Sequence, residues 1–295
     1  KTPMTDRLIT IRDFFRYAVS EFTRAKLCFG HGAANAVDEA AFIVLESLSL
    51  PIDDINPWLE ARLTESEGAR LRRIIKERVE TRKPAAYLLN KAYIQGVPFY
   101  VDERVIVPRS FIGEILANDA SILPATENVH AVLDLCTGSA CLAILAALAF
   151  PDASVDAVDI SAEALQVASR NASDHQLHDR LSLHAGDLFA PLGGRKYDLI
   201  LSNPPYVDAD AVAAFPQEHL AEPLIAHAGG EDGLDIVRRI LAQAPDFLNA
   251  GGGLLCEIGR GREKLEAEFP ALPFIWIDTQ ESEGEVFWLS RDDFA

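Results

Sequence analysis

Much is scarce in this chain of 295 residues, and each scarcity excludes something. Cysteine occurs four times, at Cys28, Cys136, Cys141 and Cys256. The one close pair, Cys136 and Cys141, lies in an apolar context with no histidine nearby, so neither a disulfide framework nor a zinc site is implied, and no metal is expected. No apolar run approaches the roughly 18 residues of a membrane span, and "KTPMTDRLIT" lacks the apolar stretch of a signal peptide. The expectation is a cytoplasmic protein with no membrane partner. Positive charge is also short: 27 Lys and Arg against 45 Asp and Glu leave a net charge of −18. Such a surface repels nucleic acid and attracts basic partners, although acidity alone also serves solubility.

What is present is a globular composition, 49% hydrophobic, at a length that suggests about two domains. From Thr5 to about Pro84 the pattern is helical. Leu8, Ile11, Phe15, Ala18 and Phe22 recur at three- and four-residue spacing, as do Val37, Ala41, Val44 and Leu48, with Pro51 closing the second helix. Thr64 followed by Glu67 announces a third helix carrying Leu71, Ile74, Ile75 and Val79. Residues 93–107, "YIQGVPFYVDERVIV", alternate around a polar "DER" centre and predict a hairpin. Beyond Arg109, short apolar strands at 131–135, 155–159, 181–184, 198–201, 253–258, 273–277 and 285–290 alternate with helical segments. That alternation predicts an α/β domain with a Rossmann-like, seven-stranded, mostly parallel sheet, whose last strand returns antiparallel because no crossover helix fits before it. The expected division is a helical domain over 1–90, a hairpin linker over 91–108 and an α/β domain over 109–295.

Open α/β sheets bind ligands beyond the C-terminal ends of their strands, where small residues admit the backbone of the next turn. The turn Asp134, Leu135, Cys136, Thr137, Gly138, Ser139, Ala140 fits that role, although it is not the dinucleotide G-x-G-x-x-G. Asp159 ends the next strand, about 20 residues past Gly138, a placement suited to accepting from ribose hydroxyls. Ser161 fills the N-cap role that Asp159 could otherwise serve. As a carboxylate facing only a ligand, Asp159 is expected to be replaceable by alanine with little change in folded stability. At the third strand tip Asp187 is placed either to accept from an adenine amine or to be a solvated loop carboxylate.

The fourth strand stops at Asn203, Pro204, Pro205 and Tyr206. Proline cannot donate to a sheet ladder, so this is either a plain strand-ending turn or a rigid corner facing the same crevice.

The motifs "VLDLCTGSACLA", "AVDIS", "GDLF", "LSNPPYVD" and "RKPAAYLLNKAYIQGVPFYVDERVIVPRS" resemble the class I S-adenosylmethionine-dependent methyltransferases, and within them the protein glutamine N5-methyltransferases. "FYVDERVIVPRS" and "FTRAKLCFGHG" are most similar to the branch that methylates ribosomal protein L-three. The resemblance implies S-adenosylmethionine as cofactor, S-adenosylhomocysteine as product, and a basic ribosomal protein as substrate, free or in an assembly intermediate. It implies a cofactor set of Arg109, Asp134, Cys136, Thr137, Gly138, Ser139, Ala140, Asp159, Ile160, Asp187, Leu188 and Asn203, with Asn203, Pro204, Pro205 and Tyr206 receiving the glutamine. An amide nitrogen is a poor nucleophile and the sulfonium methyl a good electrophile, so positioning carries the catalysis. The Asn203 side-chain oxygen and the Pro204 carbonyl would each accept an amide N–H, and Tyr206 would pack on the amide plane. No general base is required, since the methylated amide sheds its proton to solvent.

The chain departs from that pattern at Ala140, where relatives commonly carry glycine. This costs little at negative φ and disturbs the loop at positive φ. Leu188 stands where the release-factor branch often has tryptophan, so adenine packing must be aliphatic, and Phe111 replaces a common proline. The segment "EHLAEPLIAHAGGEDGLD" keeps "EP" and "GEDGLD" and drifts between them. Three other readings share these motifs: methylation of release factors, N6-methylation of adenine in nucleic acid, and a nucleotide-binding scaffold without turnover. The charge of −18 opposes the second, which rules out direct DNA binding in the favoured reading.

Overall fold

Polar caps fix the starts of the first helices in the computed structural model, which describes residues 8–118, 123 and 128–295. Helix α1 (Ile11–Arg24) opens on Thr10, whose side chain accepts from the Asp13 N–H while Asp13 reaches back. Asn35 caps α2 (Ala36–Ser47) and Thr64 forms the expected reciprocal box with Glu67 at α3 (Glu65–Thr81). A short α4 (Ala85–Leu89) follows Pro84. Thr5, where the helical pattern was expected to begin, lies outside the described residues.

The chain divides into two units, the first holding residues up to Ala92 and also Pro216–Ala221, the second the remainder. The core of the first contains Phe14, Phe22, Ile43, Leu71 and Ile75. The inward face of α2 differs from the expected one: Val37 is exposed, and Ala40, Ile43 and Val44 are buried with Glu39. The stripe is rotated because Glu39 meets the fully buried Arg78, whose Nε donates to Oε1 at 2.7 Å. Arg78 also donates to the carbonyls of Arg82 and Cys28, so the buried guanidinium is satisfied on several sides.

The expected hairpin is shorter than its sequence pattern. Strands β1 (Ala92–Ile94) and β2 (Val97–Phe99) are joined by Gln95 and Gly96, both at positive φ, as a tight two-residue hairpin turn requires. The stretch 100–107 forms no strand. Its "DER" residues make a separate turn in which Asp102 accepts from the backbone and guanidinium of Arg104, offering the chain an alternative to a ladder.

After the hairpin the second unit continues with α5 (Phe111–Asn118), β3 (Ala131–Leu135), α6 (Cys141–Ala149), β4 (Ser154–Asp159), α7 (Ala162–Asp174), β5 (Leu181–Ala185), β6 (Tyr197–Ser202), α8 (Ala209–Ala213), α9 (Asp235–Phe247), β7 (Leu248–Glu257), α10 (Arg262–Glu268), β8 (Ile275–Ile277) and β9 (Val286–Ser290). All seven expected strands form one sheet in the order β5-β4-β3-β6-β7-β9-β8. The pairs from β5 to β7 are parallel, and β9 runs antiparallel to both neighbours, inserted between β7 and β8. Two apolar clusters complete the unit, one containing Ile144, Val155 and Leu201, the other Leu133, Ile200 and Val237. Chain order reverses at β3, and its partners β4 and β6 end level with it: Leu135 pairs with both Val158 and Ser202. Cys136, Asp159 and Asn203 therefore leave three adjacent strand tips at the switch point.

Candidate active site

The turn after β3 alternates in hand. Cys136, Gly138 and Ala140 have φ of 60°, 55° and 64°, with Thr137 and Ser139 between them at ordinary φ. Three of its N–H groups are spent within the protein: Thr137 donates to the Val158 carbonyl at 3.0 Å, Gly138 to Asp159 at 2.8 Å and Ala140 to the Thr137 carbonyl at 2.9 Å. Ala140 thus takes the left-handed conformation that its replacement of glycine left in question, at a cost of about 1–2 kcal/mol. The turn is scaffolded from below. Asp134 Oδ2 accepts from the Thr137 hydroxyl at 2.5 Å and the Ala143 N–H at 3.1 Å, and Asn171 Nδ2 donates to the Ser139 carbonyl at 2.9 Å. Burial pushes the Asp134 carboxyl up to about 7.

A cavity of about 260 Å³ opens in front of the turn. Of the residues singled out in the sequence, Cys136, Gly138, Asp159, Ile160, Asp187, Leu188, Asn203 and Pro205 line it. Asp134, Thr137, Ser139 and Ala140 are buried behind its wall, and Arg109, Pro204 and Tyr206 stand outside the lining. Asp159 holds the turn as well as facing the cavity: Oδ2 accepts from the Gly138 N–H at 2.8 Å and Oδ1 from the Ser161 N–H at 2.9 Å. Burial raises its carboxyl despite those bonds. Ser161 caps α7 as expected. Asp187 is paired with Arg239 Nη2 at 2.6 Å, an ion pair on the cavity rim. Ile160, 60% exposed, and the buried Leu188 supply apolar wall.

On the other side, Asn203 Nδ2 donates to the Arg109 carbonyl at 3.1 Å. Among the described residues this leaves Oδ1 as the unengaged end of the carboxamide. The Arg109 guanidinium is spent on Glu222, with Nη1 at 3.1 Å from Oε1 and Nη2 at 2.8 Å from Oε2. Tyr206 donates its hydroxyl to Glu257 Oε1 at 3.3 Å. Glu257 also accepts from the Ser110 hydroxyl at 2.7 Å and the Phe111 N–H at 2.9 Å through Oε2. Burial pushes its carboxyl up to about 7 and raises the Tyr206 phenol. The "GGEDG" loop seats on the proline corner: a Cβ at Gly233 would stand 2.3 Å from the Tyr206 carbonyl oxygen, so only glycine permits that approach.

Sequence reasoning missed Glu257, Ser110 and Arg239, and left the contacts of Glu222 to Glu231 open. One signal was available, since Glu257 is a lone carboxylate closing the apolar run "GGGLLCE" at a central strand tip.

This sheet order and crevice are those of the class I methyltransferase fold, and the solved methyltransferase of Pyrococcus furiosus shares that fold with a TM-score of 0.50, covering 76% of this chain and 98% of that one at 16% identity. Residues 119–228 match the methyltransferase small domain. Two curated relatives, from Bradyrhizobium diazoefficiens and Bordetella pertussis, are each named ribosomal protein uL3 glutamine methyltransferase. The first is 57% identical over 97% of this chain and 92% of its own length, the second 51% identical over 97% and 96%. The chain belongs to the ribosomal protein uL3 glutamine methyltransferase family.

Proposed function

We infer that this enzyme transfers a methyl group from S-adenosylmethionine to the side-chain amide nitrogen of a glutamine in ribosomal protein uL3, leaving S-adenosylhomocysteine. The observation that carries the reading is the fixed Asn203 carboxamide at the tip of β6, across the switch point from Asp159. With Nδ2 committed to the Arg109 carbonyl, Oδ1 offers an acceptor to an amide N–H. A second acceptor, the Pro204 carbonyl, would hold the other N–H and aim the nitrogen's lone pair along one line. The cofactor supplies the electrophilic sulfonium methyl. Asp159 would take the ribose hydroxyls, Ile160 and Leu188 would pack the adenine, and the turn at Gly138 would lie beside the methionine end. Tyr206 acts as a stiffener through Glu257, in support of the corner. Positive charge developing on the nitrogen is favoured by two oxygen acceptors, and the proton leaves to solvent.

The net charge of −18 supports a basic protein substrate, free or in an early assembly intermediate, over nucleic acid or a finished ribosome sheathed in phosphate. In this reading the helical unit recognises that substrate. Among the described residues no helix is long and apolar enough to cross a membrane.

The test is Asn203→Ala. Turnover of uL3 should fall about 100-fold while cofactor affinity holds within about two-fold, because only an orienting acceptor is lost. Near-native turnover would remove the clamp.

A further inference from the structure

Glu222 is buried to the point that its side chain has no exposure, and an isolated carboxylate there would be costly. Three N–H groups meet it instead. Oε1 accepts from the Val107 N–H at 2.8 Å and Arg109 Nη1 at 3.1 Å, while Oε2 accepts from Arg109 Nη2 at 2.8 Å and lies 2.9 Å from His227 Nε2. A two-pronged guanidinium–carboxylate contact locks the orientation of an arginine more tightly than a point charge can. With the Val107 N–H on the same carboxylate, the chain is pinned on both sides of Pro108, and the Arg109 peptide plane is fixed with it. The carbonyl of that residue receives Asn203 Nδ2.

The two ends of an asparagine side chain are nearly the same shape and differ in hydrogen-bond polarity. Turned by half a revolution, Asn203 would set Oδ1 against the Arg109 carbonyl, acceptor against acceptor. We propose that Glu222 is a positioning residue for methyl transfer, acting through Arg109 to lock the Asn203 carboxamide with its acceptor toward the substrate, and so to select glutamine over glutamate. A glutamine side chain brings N–H donors to that acceptor, whereas a glutamate brings only oxygens. This inference rests on the clamp reading of Asn203.

The experiment compares the wild type with Glu222→Gln, Arg109→Lys and Asn203→Ala. The substrates are uL3 and a uL3 variant bearing glutamate at the methylated position, with melting curves run on each enzyme. Glu222→Gln turns an amide toward the guanidinium, and Arg109→Lys keeps the charge but loses the fork. Each should lower kcat on uL3 by about ten-fold or more, leave cofactor affinity within about two-fold and KM within about three-fold, and shrink the preference for binding the glutamine over the glutamate substrate toward unity. A residue that merely stiffens the fold would not move that preference. If Glu222→Gln does not fold, Arg109→Lys carries the same comparison. A folded variant with wild-type kcat and an unchanged preference overturns the proposal. Full turnover by Asn203→Ala would instead mean that the clamp reading has failed, whereas its loss beside an intact Glu222→Gln overturns the positioning role alone.

Discussion

Replacing Asp159 by alanine and by asparagine separates its two tasks. The carboxylate accepts one N–H from the turn at 2.8 Å and one from the start of α7 at 2.9 Å, so the expectation that alanine is harmless to folding does not survive the structure. Alanine leaves two backbone donors without acceptors, about 1–3 kcal/mol each where water cannot reach. The site opens to the cavity, so water recovers part of that loss. Burial disfavours the charged carboxylate there and raises its pKa, so removing it returns more. The net is about 1–3 kcal/mol, or about 3–10 °C in Tm for a unit of this size. Asparagine keeps one acceptor but turns its NH2 against the other N–H, so its melting point should fall by about half as much as that of alanine. On the proposed reading both variants lose a charged acceptor for the ribose, worth about 1.5–3 kcal/mol, and should bind S-adenosylhomocysteine about 10- to 150-fold more weakly by titration calorimetry. Affinity within two-fold for either variant would take Asp159 out of the site. A melting point for asparagine as low as for alanine would refute the account of how it holds the turn.

Stability should also depend on pH through the two buried acids. Asp134 and Glu257, each pushed up to about 7, keep protons that the unfolded chain releases near pH 4, so their contribution is full below that and is lost as pH rises through about 7. Asp134→Asn retains the one oxygen that serves both Thr137 and Ala143, and should flatten this decline in denaturant titrations between pH 4 and 8. A decline of unchanged slope would assign it to other groups. At Gly253 an added Cβ would stand 2.2 Å from Cζ2 of the buried Trp288, so Gly253→Ala should cost about 1–3 kcal/mol in denaturant unfolding. In the helical unit, Arg78→Ala strands the Glu39 carboxylate and should cost about 3–5 kcal/mol, while Asp187→Ala, which only frees Arg239 at the rim, should stay within about 1 kcal/mol.

The sheet was legible because strands buried on both faces read as nearly continuous apolar runs, as "LIL" does and as "VLDL" does apart from Asp134. The three tips that face one another were legible for the same reason, since topology alone brings Cys136, Asp159 and Asn203 together. The hairpin was overextended because residues 100–107 alternate like a strand yet spend their polar groups on a local turn. The face of α2 was misread because apolar spacing cannot foresee a buried glutamate, and only Arg78, 39 residues away, makes that burial tolerable. What fixes the Asn203 carboxamide was hidden by distance along the chain: Asn203 meets the Arg109 carbonyl across 94 residues, and Arg109 meets Glu222 across 113. Neither contact leaves a local spacing to detect.

The central claim is the identity of the methylated atom. Purified enzyme, uL3 and S-adenosylmethionine should give one added methyl, about 14 Da, and fragment-ion spectra should place it on the side-chain amide of a single glutamine. A methyl on another residue type, on RNA offered in competition, or on release factor in preference to uL3 would contradict the account.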